Sequence, residues 1–325
     1  MTPLRNTRNQ DGESARSAGK AASAPNLISV IVATYNRAAS LPDCLKSLMA
    51  ARLPPDVACE VICVDNNSTD RTKDAVQELA RVSPIPIEYL FEPVQGISPA
   101  RNAGLRHARG RIIALTDDDC IVDPDWLASI WKEFEAAPTL DLIGGRVELY
   151  NKDDLPMTIR TSRERKVYEA EPVMSEITGC NFAFRRELVD EIGMFDPLFG
   201  AGGRIPAGED TDFYYRAFRA GRKIVYSPDV LVYHNHGRRT ERDRRKLLRS
   251  YLISDGAIYI KYILKNDRHA WRAAYWTIFR SLRGALRKTL RLQSSGEEWR
   301  RVGHYLNGFF RYGVIWLARL GRAER

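Results

Sequence analysis

Four short apolar runs punctuate the first half of the chain: LISVIVA (27–33), CEVICVD (59–65), IEYLFE (87–92) and RIIALTD (111–117). Runs of this length, apolar on both faces, predict strands buried in a parallel sheet, and the helix-length stretches between them predict an α/β fold. The clearest intervening helix is SPARNAGLRHARG (98–110), where Ser98 suits an N-cap, Pro99 the first turn and Gly110 the C-terminal cap. A second, more irregular half follows, with a helix at TDFYYRAFRAG (211–221) and a short strand pair around KIVYSPDVLVYHNH (223–236). Residues 1–25 are polar, small and aperiodic and are expected to form a disordered leader.

Beyond Arg238 the pattern becomes helical, basic and aromatic. Trp271, Ala274, Tyr275, Ile278, Phe279, Leu282 and Leu286 share one helical face, with Arg272, Arg280, Arg283 and Arg287 largely off it. The expected division is therefore a leader over 1–25, an α/β domain over 26–238 with halves at 26–120 and 121–238, and a basic amphipathic extension over 239–325.

Composition sharpens that division. Residues 241–325 carry 20 Lys and Arg against 7 Asp and Glu, a net charge of +13, while the first 240 residues carry −4. No stretch reaches the roughly 18–20 consecutive apolar residues of a spanning helix. Aromatics beside arginines favour a peripheral contact with an anionic membrane over a nucleic-acid surface, which would need a basic stripe without so broad an apolar face. The five cysteines show no CxxC pair or disulfide framework, and the first residues lack the apolar core of a signal peptide. A reduced, cytoplasmic setting is expected, on the inner face of the membrane.

In open α/β sheets ligands bind at the carboxyl ends of the strands, and here those ends carry TYNR (34–37), DNNSTD (65–70) and TDDD (116–119). The three consecutive acids Asp117, Asp118 and Asp119 repel one another, and an Asp-x-Asp at a strand end is suited to a hard divalent cation, Mg²⁺ or Mn²⁺, shared with phosphate oxygens. No GxGxxG follows the first strand and no GxxxxGK[ST] occurs, which sets aside a dinucleotide fold and a P-loop. A second acidic pair, Glu209 and Asp210, precedes an aromatic helix, where it also fits first-turn acids stabilised by the helix dipole. His234 and His236 fall on the same side of an extended segment if it is a strand, and each is a candidate metal ligand.

Taken in order, ISVIVATYNR, VICVDNNSTDRT, GISPARNAGLRHARG, LTDDDC, TGCNFAFRR and GEDTDFYYRAFRAG resemble the family 2 inverting glycosyltransferases over about residues 27–236. The resemblance implies a GT-A fold and a nucleotide-diphosphate sugar donor, with a UDP- or dTDP-sugar favoured. It places Thr34, Tyr35, Asn36, Arg37, Asp65, Asn67, Arg101, Asp117 and Asp118 at the nucleotide. Asn102, Gly145, Gly179, Asn181 and Glu209 would lie at the donor or acceptor sugar, and Asp119 with Asp117 at the metal. Asp210 would be the base that deprotonates the acceptor hydroxyl. Cys120 stands where family members often carry a further acid. The acceptor implied is a glycan or a lipid-linked sugar. The rival from another class is a catalytically silent GT-A module that binds a nucleotide sugar or a protein partner. A processive synthase is disfavoured, because neither a QxxRW motif nor spanning helices occur.

Overall fold

The computed structural model describes residues 24–168 and 177–323. The expected leader therefore lies outside the described residues except for Ala24 and Pro25, which open the first strand. The first half alternates β1 (Ala24–Thr34), α1 (Leu41–Met49), β2 (Ala58–Asp65), α2 (Thr72–Val82), β3 (Ile87–Phe91), α3 (Ile97–His107) and β4 (Gly110–Asp117). It continues through β5 (Cys120–Val122), α4 (Trp126–Ala136), β6 (Leu142–Leu149), β7 (Lys166–Tyr168), β8 (Asn181–Arg185), α5 (Glu187–Ile192), α6 (Glu209–Arg219) and β9 (Ile224–His234). Three helices close the chain: α7 (Glu241–Ile263), α8 (Arg268–Leu290) and α9 (Gly296–Ala323).

The sheet runs β3-β2-β1-β4-β8-β6-β9-β5, with β7 beside β9. Its first four strands are parallel, as their continuous apolar runs predict. β8 then enters antiparallel to both β4 and β6, so a mostly parallel sheet is interrupted by β8, with the short β5 and β7 also antiparallel beside β9. Side-chain periodicity reports burial, not strand direction. Thr34 pairs with Asp65 on one side, and Ala33 pairs with Asp117 on the other, which brings three polar strand ends level at one edge. The strand pair expected near 223–236 is one long strand, β9, whose register against β6 shifts around Pro228, a residue with no N–H for the ladder.

One helical layer packs through Leu41, Leu45, Trp126 and Phe134, the other through Ala100, Ala103, Phe213 and Tyr214. α3 begins earlier than its capping pattern predicts. Gly96, at φ 134°, precedes it, and Ser98 sits in its first turn donating to Phe199 O at 2.7 Å. Gly110 opens β4 instead of capping α3, because its Cα lies against the Leu27 and Ser29 backbone.

The C-terminal helices are not a loose appendage. Ala257, Ile258 and Tyr262 of α7 share a core with Phe199, Ile205 and Tyr215 of the α/β layers. The expected apolar face of α8 divides in two. Ala270, Ala274 and Ala285 are buried and Ile278 is partly buried, whereas Trp271, Tyr275, Trp276, Phe279 and Leu286 stay exposed. No described helix is long and apolar enough to cross a membrane.

Candidate active site

The level strand ends place the acids with their partners. Thr34 Oγ1 donates to Asp118 Oδ2 at 2.7 Å, and Arg37 lies 3.7 Å from both Asp118 and Asp119. Burial pushes Asp118 up to about 6, with the Thr34 hydrogen bond working against it. With one oxygen taken by Thr34, Asp118 is set apart from its two neighbours. Antiparallel pairing of β5 with β9 sets Cys120 opposite His234, and this brings the His234 ring to the acidic motif. His234 Nε2 lies 3.2 Å from Asp119 Oδ1, while Nδ1 faces Thr158 Oγ1 at 3.1 Å and Cys180 Sγ at 3.9 Å.

Asp117, Asp119 and His234 each present one ligand atom, and these atoms lie within 4.8 Å of one another. Burial disfavours the charged ring of His234, but the Cys180 sulfur and the Asp119 carboxylate outweigh it and push the ring up to about 11. Asp119 is held below the usual carboxylate range because His234 and Arg37 outweigh its burial. Burial pushes Asp117 up to about 8 against the pull of Arg101. Two carboxylates and an imidazole crowded together in this way fit a divalent cation, whose charge would oppose the burial that raises Asp117. His236 lies just beyond the end of β9: its Nδ1 accepts from Arg238 N and sits 3.5 Å from Asp154. The two rings do lie on the same side, edge to face with centroids 5.0 Å apart, but only His234 reaches Asp119, while His236 meets Asp154.

Behind the acids, Arg101 of α3 is 2% exposed. It donates to Glu209 Oε1 at 3.0 Å, to Asp117 Oδ1 at 3.1 Å and to Gly179 O at 3.0 Å. A single guanidinium thus ties the end of β4 to the start of α6. Burial and the adjacent Asp210 push Glu209 up to about 7, with Arg101 opposing. Asp210 Oδ1 accepts the Thr211 N–H at 2.6 Å, and its Oδ2 lies so close to Gly179 that a methyl group there would overlap it.

Two cavities open onto this edge. One of about 480 Å³ is lined by Thr34, Tyr35, Arg37, Asn66 and Asp118 among others. The other, of about 380 Å³, is lined by Arg101, Gly179, Glu209, Asp210, His234 and residues of α7. They share Ile97, Asp117, Asp119 and Arg238, so they form one continuous cleft. A larger cavity of about 590 Å³, bounded by Lys132, Glu133 and Arg165, lies away from the strand-end acids.

Several expected contacts are placed elsewhere. Asn181 is fully buried and bridges Trp126 Nε1, Arg146 O and Val230 O, and Gly145 packs directly against it, so both serve the interior of the sheet. Asn102 exchanges two hydrogen bonds with the Phe195 backbone, which locks α3 to a neighbouring loop. Asp65 accepts from Tyr89 OH and Ser68 N, and Asn36 accepts from Thr69 N, so both brace the loops that frame the first cavity. Asn66 lines that cavity in place of Asn67. Arg238 and the α7 side chains escaped the sequence reading, because their only signal was basic and helical character.

The chain matches the model of glycosyl transferase family 2 over residues 29–193, and that of glycosyl transferase family group 2 over residues 112–318. It belongs to glycosyl transferase family 2. The succinoglycan biosynthesis protein ExoM of Rhizobium meliloti is 32% identical over 212 residues, which cover 63% of this chain and 66% of that one. Among solved structures, the mannosyltransferase PcManGT of Pyrobaculum calidifontis, in complex with GDP-Man and Mn²⁺, has a TM-score of 0.60 at 22% identity. The match covers 88% of this chain and 86% of that one. TarS 1-349 of S. aureus, in complex with UDP-GlcNAc, has a TM-score of 0.52 at 18% identity, covering 87% and 81%. The fold shared with these glycosyltransferase structures is GT-A, extended here by the C-terminal helices.

Proposed function

We propose that the chain is a metal-dependent inverting glycosyltransferase. It moves a sugar from a nucleoside-diphosphate sugar to a hydroxyl of a glycan or lipid-linked acceptor by direct displacement. The observation that carries this reading is the junction of two half-sites at Asp117, Asp119 and Arg238. The half with Tyr35, Arg37, Asn66 and Asp118 suits the nucleoside, and the half with Asp210 suits the acceptor. A UDP- or dTDP-sugar is the favoured donor, while the GDP-Man of PcManGT and the UDP-GlcNAc of TarS support a nucleotide-sugar donor in general.

Asp117, Asp119 and His234 would hold the cation, which when bound neutralises charge on the departing diphosphate. An imidazole among the donors favours Mn²⁺ over Mg²⁺. Arg238, whose buried Nη1 has no partner among the described residues, is the side chain to meet the diphosphate from the protein side. Asp210 accepts the proton of the attacking hydroxyl through the oxygen that Thr211 leaves free, and the N-terminus of α6 favours negative charge there. Attack opposite the leaving diphosphate inverts the sugar without a covalent intermediate. A silent binding module has no use for a carboxylate held in this way.

Asp119→Ala should weaken Mn²⁺-stimulated binding of the nucleotide sugar at least ~10-fold, measured by calorimetry against UDP-, dTDP- and GDP-sugars. If no nucleotide sugar binds the wild-type chain with either cation, the reading is wrong.

A peripheral position on the cytoplasmic membrane face completes the proposal. Trp271, Tyr275 and Phe279 of α8 and Leu306, Phe310 and Leu317 of α9 are exposed, and Arg272, Arg280, Arg283 and Arg287 stand exposed on α8. This combination matches an anionic lipid surface. Because α7 shares a core with the GT-A layers, deleting the extension would unfold more than the contact, so point variants are the better probe. Arg283→Gln and Arg287→Gln should each weaken co-sedimentation with anionic vesicles about fivefold and leave neutral vesicles unaffected. Equal binding by wild type and both variants would remove the membrane from the proposal.

A further inference from the structure

One wall of the second cavity comes from α7, in the part of the chain whose sequence pattern is that of a basic extension. Tyr251, Ser254 and Asp255 fall on one face of that helix, and all three line the cavity together with Thr178 and Asp210. The helix approaches closely: the Ser254 Cβ lies 3.1 Å from where a Cβ on Gly208 would stand, and Gly208 immediately precedes Glu209 and Asp210.

Two hydroxyls lining this cavity have no hydrogen-bond partner among the described residues. Ser254 is 1% exposed and its Oγ has no partner among the described residues, and Thr178 Oγ1 is likewise buried and unpartnered. A buried hydroxyl left unpaired costs about 1–3 kcal/mol, so two of them on one cavity mark a place where the polar atoms of a ligand are received. Asp255 shares the cavity with Asp210. Burial and the Asp210 carboxylate push it up to about 7, so near neutrality it can donate as well as accept.

We infer that α7 builds the acceptor subsite. Ser254 and Asp255 hydrogen-bond hydroxyls of a neutral sugar that rests on the Tyr251 ring, and a further hydroxyl of the same sugar reaches Asp210. The inference rests on the proposed role of Asp210 and gives its acceptor a chemical class. Asp210 repels an anion beside it, and Glu209 and Asp255 offer it no positive charge. Of the cationic groups lining the cavity, Arg101 is engaged with Asp117 and Glu209, and His234 and Arg238 are assigned to the cation and the diphosphate. A uronate or a lipid phosphate is therefore disfavoured as the attacking residue, and a neutral glycosyl unit is favoured. Paired hydrogen-bonding side chains beside an aromatic ring match the alternating hydroxyl and C–H surfaces of a pyranose.

The test uses the full chain with Mn²⁺ and UDP present. Saturation-transfer NMR titrations with 4-nitrophenyl glucoside, galactoside and mannoside are set against 4-nitrophenyl glucuronide, and UDP affinity is measured on the same samples. At least one neutral glycoside should bind and the glucuronide should bind at least tenfold more weakly. Ser254→Ala and Asp255→Asn should each weaken the neutral glycoside roughly tenfold, with thermal melting as the control for folding. The inference is overturned by equal binding of the glucuronide, by unchanged affinity in both variants, or by a wild-type chain that binds no neutral glycoside. Loss of UDP binding by the wild-type chain while a glycoside still binds would instead sink the donor reading and leave the sugar subsite standing.

Discussion

Asp210→Asn should lower kcat for sugar transfer by about 10²- to 10⁴-fold while leaving the dissociation constant of the donor close to that of the wild type. The substitution keeps the size of the side chain, and its carbonyl oxygen can still accept the Thr211 N–H that fixes the carboxylate. What disappears is the basic oxygen beside Gly179. The nucleotide half of the cleft is lined by other residues, so donor binding has no reason to change. Gly179→Ala offers a second route to the same loss, because its methyl would displace Asp210 Oδ2 without altering its chemistry. Initial-rate kinetics with donor binding measured separately distinguish the outcomes. Wild-type turnover in the Asp210→Asn enzyme would remove Asp210 from the chemistry and leave Glu209 as the carboxylate to examine.

The largest expected change in stability lies where the C-terminal helices join the GT-A domain. Asp212 of α6 is fully buried and accepts from Lys261 Nζ at 2.5 Å, Tyr262 OH at 2.8 Å and Arg216 Nε at 2.9 Å. Lys261 is itself 6% exposed and also reaches Asp196 at 2.8 Å. Asp212→Ala leaves the charge of Lys261 with one partner in place of two, and should cost about 3–5 kcal/mol by denaturant unfolding. Adding Lys261→Met should recover part of that loss, because the buried charge that had lost a partner is then gone.

The pH dependence of this contribution has a definite sign. Burial works to raise Asp212, but Lys261 and then Arg216 outweigh it, so the carboxyl is held below its usual value in the folded chain. Stability from such a group is fully present above the unfolded value, near ~3.9, and is lost as pH falls through the folded value. The gap between wild type and Asp212→Ala should therefore narrow as pH falls below about 4. A gap that stays constant into acid would mean that the ion cluster is not what holds α7 down.

Legibility from sequence varied with the range of the contacts involved. β1, β2 and β4 were legible because a strand buried on both faces leaves a continuous apolar run. β3, at the sheet edge, was legible because it keeps a short apolar run although only partly buried, and the acids because they directly follow β4. Asn66 and Asn67 are adjacent and chemically identical, and only the turn after β2 decides that Asn66 faces the cleft while its amide reaches Glu92 O and Val94 O. Asn102 and Asn181 carry amides suited to a sugar, yet partners distant in sequence engage them inside the protein. His234 and His236 have equal standing in the sequence. The β5·β9 register gives one to Asp119, and the end of the strand gives the other to Asp154.

By itself, the sequence determined the α/β class, the acidic strand ends and the basic character of the last helices, because each depends on residue type and local spacing. Tertiary structure alone decided the mixed direction of the sheet, the Arg101 bracket between Asp117 and Glu209, and the placement of Tyr251, Ser254 and Asp255 beside Asp210. These depend on which surfaces meet across long separations. An amphipathic pattern states that a face will be covered, and the packing of the whole chain chooses what covers it.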